Sequence, residues 1–271
     1  MIPKIIHYCW FGGKPLPAAA QKCIASWKKY CPDYELHAWT EENYDIASAP
    51  LYVRQAYEAK KWAFVSDYVR LRVVYEHGGI YLDTDVELLK NLNPLRGYSA
   101  FFGFEDALHV ATGLGFGAES HSQVLANMML DYQTIPFLLD DGSYDLTACP
   151  VRNTDALVRI GLVCRNEFQV LSGNIAVFPT EYFCPRDIHT MEICVTENTY
   201  TIHHFAGSWL SGEDAERRAY KLRRLKIEQR FGVRSAAIYE TLHFARKKHG
   251  GAGLANYAKK RVSRMFGRRG R

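Results

Sequence analysis

The sequence predicts an α/β protein in which a parallel sheet is flanked by helices. The first observation is an apolar run at residues 3–10 that ends at Gly12-Gly13, as a buried strand feeding a loop does. The second is helical spacing over 17–30, and the third is strand-like alternation over 34–39. A strand, a helix and a strand within about 40 residues are typical of a βαβ unit, whose two strands pair in parallel.

Later segments continue the alternation of helices and strands. Residues 52–77 predict one or two deeply buried helices, because two adjacent apolar stripes combine into one broad face. Gly78-Gly79 ends this segment in the manner of a glycine C-cap. A short strand follows at 80–82, and the chain carries on through 86–88. Further along, the sequence predicts strands over 98–118, 175–178 and 200–203, and helices over 121–133 and 153–164.

The composition excludes several classes of protein. The 271 residues are 48% hydrophobic and 23% charged, which excludes a disordered chain, a collagen-like chain and a coiled-coil rod. There is no run of 18 apolar residues, and the first residues lack the long apolar segment of a signal peptide. The seven cysteines are odd in number and lack CxxC spacing, which argues against a disulfide framework or a zinc knuckle. We therefore expect a cytoplasmic protein.

The charges divide the chain into an acidic body and a basic tail, with a boundary near 214. Residues 215–271 hold 18 Lys and Arg against 3 Asp and Glu, whereas the rest holds 16 against 26. A basic, helix-forming tail suits an anionic surface, and we expect a peripheral position at the inner membrane face. As a binding partner of the tail, nucleic acid is expected less than a membrane, because the tail offers few patches that combine aromatic and basic residues. A solvated helical appendage is the alternative. The residues expected to dock are Lys221, Arg223, Arg224, Lys226, Lys247, Lys248, Lys259, Lys260 and Arg261.

The segment Gly78-Gly79-Ile80-Tyr81-Leu82-Asp83-Thr84-Asp85 is the most informative part of the sequence. Carboxylates at i and i+2 of a strand point to the same side of the chain. Two like charges at that spacing need a cation between them, and carboxylate oxygens suit Mg²⁺ or Mn²⁺ shared with a phosphate. The alternative is a solvated acidic turn.

This segment, together with Ser66-Asp67-Tyr68-Val69-Arg70-Leu71 before it, resembles the DxD region of glycosyltransferase family 32. That family comprises the Och1-like and capsular polysaccharide synthesis glycosyltransferases, and it is distantly similar to the clostridial glucosylating toxins. Three other segments resemble the family's first strand, a later segment and its closing motif, so that the resemblance spans about residues 3–210. They are 5–13, 178–185 and 203–209.

The resemblance implies a GT-A fold, a Rossmann-like sheet that binds a nucleotide-sugar through a divalent metal. Residues 1–214 would form the catalytic domain and residues 215–271 a basic, mostly helical extension. Asp83 would contact the ribose and the metal, and Asp85 would bind the metal directly. His204 is similar to a third metal ligand. Adjacent strand residues point in opposite directions, so only one of His203 and His204 is expected to bind the metal.

Further residues match the family's donor site. Trp10 would stack on the nucleobase, although an aromatic residue after an apolar run also suits the core. Asp67 and Arg70 share a helix face and would hold the donor sugar and phosphate, or form a structural ion pair. Ser208 and Trp209 would close over the diphosphate. Ala148-Cys149-Pro150 departs from the family's Thr-Gly-Pro on the acceptor side, and sugar or acceptor contacts are expected within 111–117.

The resemblance thus predicts a metal-dependent, retaining glycosyltransferase of polysaccharide or glycoconjugate synthesis. The cofactor would be Mn²⁺ or Mg²⁺, the donor a UDP-sugar rather than a GDP-sugar, and the acceptor a hydroxyl of a glycan or lipid-linked glycan. Two alternatives stay open. Paired carboxylates also serve phosphohydrolases and nucleotidyltransferases, and the 17 Tyr, 14 Phe and 5 Trp residues suit a carbohydrate-binding module.

Overall fold

A computed structural model describes residues 1–186, 192–207 and 212–244. The chain divides into two compact units, Met1–Trp209 and Leu210–Arg271. The helices are α1 (Ala18–Tyr30), α2 (Leu51–Glu58), α3 (Trp62–His77), α4 (Gln123–Thr134), α5 (Cys149–Val158), α6 (Thr180–Phe183) and α7 (Gly212–Phe231). The strands are β1 (Ile5–Cys9), β2 (Glu35–Trp39), β3 (Gly79–Tyr81), β4 (Val86–Leu88), β5 (Ala100–Gly103), β6 (Phe116–Ala118), β7 (Gln169–Leu171), β8 (Ile175–Phe178) and β9 (Thr201–His203).

Seven strands form a sheet in the order β2-β1-β3-β6-β5-β8-β7, and β4 and β9 form a separate two-stranded sheet. The predicted α/β architecture is confirmed, but the large sheet is mixed rather than parallel. β1 pairs in parallel with β2 and β3, and β5 pairs in parallel with β8. β6 lies between β3 and β5 and is antiparallel to both, and β7 is antiparallel to β8.

The hydrophobic core lies on both faces of the sheet. Within β5, Phe102 belongs to a cluster with helices α2 to α5, whereas its neighbour Phe101 belongs to a second cluster with Trp27 of α1 and Phe183 of α6. Because successive strand residues point to opposite faces, these two clusters are the two layers that cover the sheet. The deep burial predicted for 52–77 is confirmed for α3, in which Val65, Val69 and Val73 are fully buried.

Several boundaries differ from the sequence-based prediction. The stretch 98–118 forms two strands separated by a loop and the short 3₁₀ helix Thr112–Leu114. The strand that follows the acidic motif, β4, is not part of the main sheet and pairs with β9. Helix α5 begins four residues earlier than predicted, where Pro150 occupies the first turn and the free N–H groups of a helix start tolerate proline.

The second unit is described separately. It contains α7 and a further helical stretch at 233–244, with Gly232 between them at a φ of +81°. The helical character predicted for the tail thus holds for this described part, while Lys247, Lys248, Lys259, Lys260 and Arg261 lie outside the described residues. In the described parts of the chain, no helix combines the length and the apolar character needed to cross a membrane.

Candidate active site

Two adjacent parallel strands bring the predicted donor-site residues to one edge of the sheet. In the β1–β3 pair, His7 lies opposite Tyr81. Trp10 follows β1 directly, and Asp83 and Asp85 follow β3 within four residues. Because neighbouring strands lie about 4.8 Å apart, the fold places Trp10 and the carboxylate pair at the same edge of the sheet.

A glycine pair allows the chain to turn from α3 into β3. Gly78 has a φ of +66° and Gly79 a φ of +109°, a region of backbone space that side chains disfavour. A Cβ atom on Gly79 would also lie only 2.8 Å from the carbonyl oxygen of Ile5. Since α3 and β3 carry the two halves of the candidate site, this turn sets how closely they approach.

The carboxylates of Asp83 and Asp85 lie together with the imidazole of His203. Each of the three residues offers one ligand atom, and these atoms lie within 4.8 Å of one another. His203 Nε2 is 3.1 Å from Asp85 Oδ1, and the backbone N–H of Ala206 donates to Asp85 Oδ2 at 2.7 Å. Two carboxylates and one imidazole are donors that suit Mn²⁺.

His204, which sequence reasoning ranked first as the third ligand, lies with a different partner. Its Nε2 is 2.9 Å from Glu87 Oε2, and both side chains are about two-fifths exposed. β9 pairs with β4 so that His203 lies opposite Val86. The backbone N–H of His204 donates to the Asp85 carbonyl oxygen at 3.0 Å, so the strand pairing brings both histidines beside the motif. Of the two imidazoles, that of His203 is the one that contacts the Asp85 carboxylate.

Arg70 joins the helix to the acidic motif. Its Nη2 lies 3.1 Å from Asp67 Oδ1 and 3.3 Å from Asp83 Oδ1, and its Nε donates to the Ser66 carbonyl oxygen at 3.1 Å. The Tyr81 hydroxyl donates to the same Asp83 oxygen at 2.8 Å. Both the sugar-binding role and the ion pair predicted for Asp67 and Arg70 are compatible with this geometry, because the pair is formed and borders the motif.

The charges of this cluster favour an added cation. Three carboxylates, of Asp67, Asp83 and Asp85, lie with the guanidinium of Arg70 and the imidazole of His203. Burial raises the pKa of Asp67 to about 6 despite the adjacent guanidinium. For Asp85, burial is outweighed by the hydrogen bonds from His203 and Ala206, which hold its pKa at about 2. A divalent cation would balance the remaining negative charge.

His203 supports this fit in a second way. Its Nδ1 is buried and has no hydrogen-bond partner within the described residues, while Nε2 faces Asp85. Because Nδ1 is not held by a backbone hydrogen bond, the imidazole ring can rotate and direct Nε2 to a metal ion. This rotation breaks no backbone hydrogen bond of the fold. The residues present therefore fit a metal ion held by Asp83, Asp85 and His203.

The remaining predicted site residues have different outcomes. Trp10 is half-buried just beyond β1, where its Nε1–H donates to the Lys14 carbonyl oxygen at 2.5 Å. It is therefore partly accessible rather than a core residue. Ser208 and Trp209, predicted to close over the diphosphate, lie outside the described residues.

The structure adds Gly113 to the ion-pair side of this site, whereas sequence reasoning expected sugar or acceptor contacts from its segment 111–117. A Cβ atom built on it would lie 2.6 Å from Asp83 Oδ2 and 3.2 Å from Arg70 Nη1. The 3₁₀ helix therefore packs its backbone directly against the ion pair. The glycines of 111–117 were the available signal, since a glycine often marks a close approach to the backbone.

Cys149 is the second residue that the structure adds. Its Sγ lies 3.9 Å from Arg70 Nη1, at the start of α5. This is the position at which the sequence departs from the family's Thr-Gly-Pro pattern. Burial raises the pKa of the thiol far above its ordinary value, so that the side chain stays neutral beside the guanidinium.

Comparisons with known proteins show which family part of this chain resembles. Residues 17–102 match the family model described as "Glycosyltransferase sugar-binding region containing DXD motif". The match includes Asp67, Arg70, Asp83 and Asp85, and it confirms the resemblance to DxD glycosyltransferases over this stretch. Over this stretch the chain is similar to a glycosyltransferase sugar-binding region.

Two relatives are similar to part of this chain. "Inositol phosphoceramide mannosyltransferase 3" of Schizosaccharomyces pombe is 35% identical over 108 residues, which are 37% of this chain and 29% of the relative. "Uncharacterized glycosyltransferase L373" of Acanthamoeba polyphaga mimivirus is 30% identical over 111 residues, or 38% and 43% of the two chains. The matched region thus spans less than half the length of either relative.

Solved glycosyltransferase structures show a weak likeness. "PaToxG Glycosyltransferase" has a TM-score of 0.44 and 18% identity, covering 58% of this chain and 69% of its own. A glycosyltransferase involved in the glycosylation of the major capsid of PBCV-1 has a TM-score of 0.44 and 13% identity, covering 80% and 98%.

Proposed function

We propose that this protein is a metal-dependent, retaining glycosyltransferase. It would transfer a sugar from a nucleoside diphosphate sugar to a hydroxyl of a glycan or lipid-linked glycan in polysaccharide or glycoconjugate synthesis. A UDP-sugar is preferred over a GDP-sugar from the sequence, while the name of the fission yeast relative makes a mannosyl donor the competing case.

The observation that carries the proposal is the contact between two groups of side chains. The cation ligands Asp83, Asp85 and His203 adjoin the buried Asp67–Arg70 pair through Asp83. A diphosphate needs a cation and benefits from a guanidinium, because two positive partners stabilise the charge that develops on the leaving group. A carbohydrate-binding module requires neither group.

The side chains have distinct roles in this proposal. Asp83, Asp85 and His203 would hold Mn²⁺ or Mg²⁺, which supplies Lewis-acid stabilisation of the departing diphosphate. Arg70 would donate hydrogen bonds to a phosphate oxygen in the fork geometry of its guanidinium. Asp67 would accept hydrogen bonds from donor-sugar hydroxyls, and Trp10 would stack on the base.

The stereochemical part of the proposal is retention of the donor's α configuration. The leaving phosphate would take the proton of the acceptor hydroxyl on the same face of the sugar. Analysis of the anomeric configuration of the product by NMR tests this part separately, because a β-linked product excludes it.

The test of the function is calorimetric titration of UDP and GDP, each with Mn²⁺ and with EDTA. We expect one nucleotide to bind wild type with Mn²⁺ and to lose binding in EDTA, and we expect Asp85→Ala to abolish binding. Asp140→Ala, which removes an exposed carboxylate from a loop, is the matched control and should bind as wild type does.

Circular dichroism of Asp85→Ala separates loss of the site from loss of the fold. Binding that ignores both EDTA and Asp85→Ala would refute the metal-bridged site. Release of inorganic phosphate without sugar transfer would indicate the phosphohydrolase alternative.

A further inference from the structure

Three strands converge on the edge of the sheet at which the metal ligands lie. β6 is antiparallel to both β3 and β5, so β3 and β5 run in the same direction and end at the same edge. Gly79 and Ala100 both lie opposite Ala118. Asp83 and Glu105 each follow the last residue of their strand by two positions, so both lie just beyond this edge.

The spacing of the strands sets the position of Glu105 relative to the donor site. The sheet order around this edge is β1-β3-β6-β5. Trp10 follows β1, one strand to one side of the acidic motif, and Glu105 follows β5, two strands to the other side. At about 4.8 Å per strand, β5, which Glu105 follows, lies roughly 10 Å from β3. Trp10, the residue proposed to stack on the nucleobase, and Glu105 therefore lie on opposite sides of the proposed metal ligands.

The loop after β5 fixes the backbone of Glu105 while leaving its carboxylate free to bind. Phe104 is fully buried and bridges to Val110, and the Glu105 N–H donates to the His109 carbonyl oxygen at 2.8 Å. Asp106 uses its carboxylate inside the loop, where it accepts the N–H groups of Leu108 and His109 at 2.8 Å each. Among the described residues, no hydrogen bond or ion pair to the Glu105 carboxylate is found.

The electrostatic environment places this side chain next to the site. Burial raises the pKa of Glu105, His203 lowers it, and Asp106 and Asp83 raise it. The carboxylate thus interacts with two of the three metal ligands without belonging to their group. A half-buried carboxylate without a protein donor, held at the rim of a metal site, is suited to accept hydrogen bonds from a ligand.

We propose that Glu105 binds a hydroxyl of the acceptor sugar and orients it toward the donor. The donor extends from Trp10 to the metal, so the side of the site next to β5 is where a second sugar can enter. A carboxylate there accepts a hydrogen bond from an alcohol and repels a second diphosphate. This inference rests on the proposed glycosyltransferase function and extends it to the acceptor.

The experiment compares Glu105→Gln and Glu105→Ala with wild type in the full-length protein. The first readout is Mn²⁺-dependent binding of UDP and GDP by calorimetry, and the second is hydrolysis of the donor sugar with water as the acceptor. The third is transfer to a panel of methyl glycosides. We expect the first two readouts to stay within about twofold, and transfer efficiency to fall at least about tenfold through a higher acceptor KM.

Glu42→Gln is the matched control, because it removes one exposed carboxylate from the loop after β2 and should leave all three readouts unchanged. Equal loss of hydrolysis and transfer, or weaker nucleotide binding, would assign Glu105 to the donor site and overturn the proposal. Transfer by Glu105→Ala at the wild-type rate would also overturn it. A wild-type protein that binds no nucleotide would refute the glycosyltransferase function itself, and this inference with it.

Discussion

At the scale of single residues, Arg70 determines how the acidic side chains are arranged. It is 4% exposed and contacts carboxylates from both α3 and the acidic motif. Removing a buried cation would leave Asp67 and Asp83 uncompensated, which costs several kcal/mol. The helix face shared by Asp67 and Arg70 was predictable from their spacing of three. Their contact with Asp83 depends on the turn at Gly78-Gly79.

The two adjacent histidines give the first prediction. We expect His203→Ala to weaken Mn²⁺ binding at least about tenfold, because it removes one of three ligands. His204→Ala is its matched control and should keep Mn²⁺ affinity within about twofold, since His204 faces Glu87. Mn²⁺ titration followed by electron paramagnetic resonance measures both. Equal affinities of the two variants would contradict the ligand set.

His7 gives a prediction about acid stability. Trp39 Nε1–H donates to His7 Nδ1 at 3.1 Å, so the proton resides on Nε2, which donates to the Gly78 carbonyl oxygen at 2.8 Å. Burial lowers the pKa of His7 from 6.5 to about 4. The folded state thus binds fewer protons than the unfolded state below pH 6.5, and stability is lost as the pH falls toward 4.

The measurement is urea unfolding at pH 7.5 and 5.5. Because His7 takes up a proton more readily in the unfolded state, the unfolding free energy of the wild type should fall by about 1.4 kcal/mol between pH 7.5 and pH 5.5. His7→Gln, which does not titrate, should be less stable at pH 7.5 but should lose less on acidification. If both proteins lose the same amount, His7 is not the titrating group.

At the scale of elements, the 3₁₀ helix Thr112–Leu114 packs its backbone against the side chain of Asp83. It is anchored from α5, because Asn153 Nδ2 donates to Thr112 Oγ1 at 2.9 Å and both side chains are buried. Its backbone approaches Asp83 closely because residue 113 lacks a side chain. This element therefore fixes the position of Asp83, a proposed metal ligand, without contributing a ligand itself.

The prediction at this scale concerns Gly113→Ala. Its Cβ would lie 2.6 Å from Asp83 Oδ2, so the carboxylate must shift and Mn²⁺ affinity should fall at least about tenfold. Overpacking should also reduce the unfolding free energy by about 1–3 kcal/mol. Gly97→Ala is the matched control, because nothing lies within 4 Å of its Cβ and its φ is not positive. Unchanged Mn²⁺ affinity in Gly113→Ala would contradict the claim that the 3₁₀ helix fixes the position of Asp83.

At the scale of the whole molecule, the charge is distributed unevenly along the chain. In the second unit, Arg224 pairs with both Glu228 and Glu240, which are two of the three acidic residues of 215–271. Lys221, Arg223 and Arg230 are exposed. We propose that this basic extension docks on an anionic membrane, which would bring the catalytic unit to a lipid-linked acceptor.

The prediction for this scale uses the full-length protein and vesicles of phosphatidylcholine with or without phosphatidylserine. Replacing Lys221, Arg223 and Arg230 by Gln should weaken co-sedimentation with anionic vesicles roughly fivefold per residue, at about 1 kcal/mol each. Lys22, Lys28 and Arg54 are exposed in the first unit. Their replacement by Gln removes the same charge and should have little effect. Equal losses in the two triple variants would argue against docking by the tail.

The sequence by itself determined the features that depend on local order. The βαβ start, the buried helix with Asp67 and Arg70 on one face, and the strand ending in two aspartates all follow from residue spacing over short stretches. Local periodicity fixes which side of an element a residue occupies, and hence which residues of one element can act together.

Only the tertiary structure decided which distant residues complete the site. His203 and Asp85 are 118 residues apart, and the pairing of β9 with β4 brings them together. Gly113 and Glu105 reach the edge of the sheet because β6 runs antiparallel between β3 and β5. A shift of one residue in any of these registers would present the opposite face, and the registers are set by packing across the sheet rather than by the local sequence.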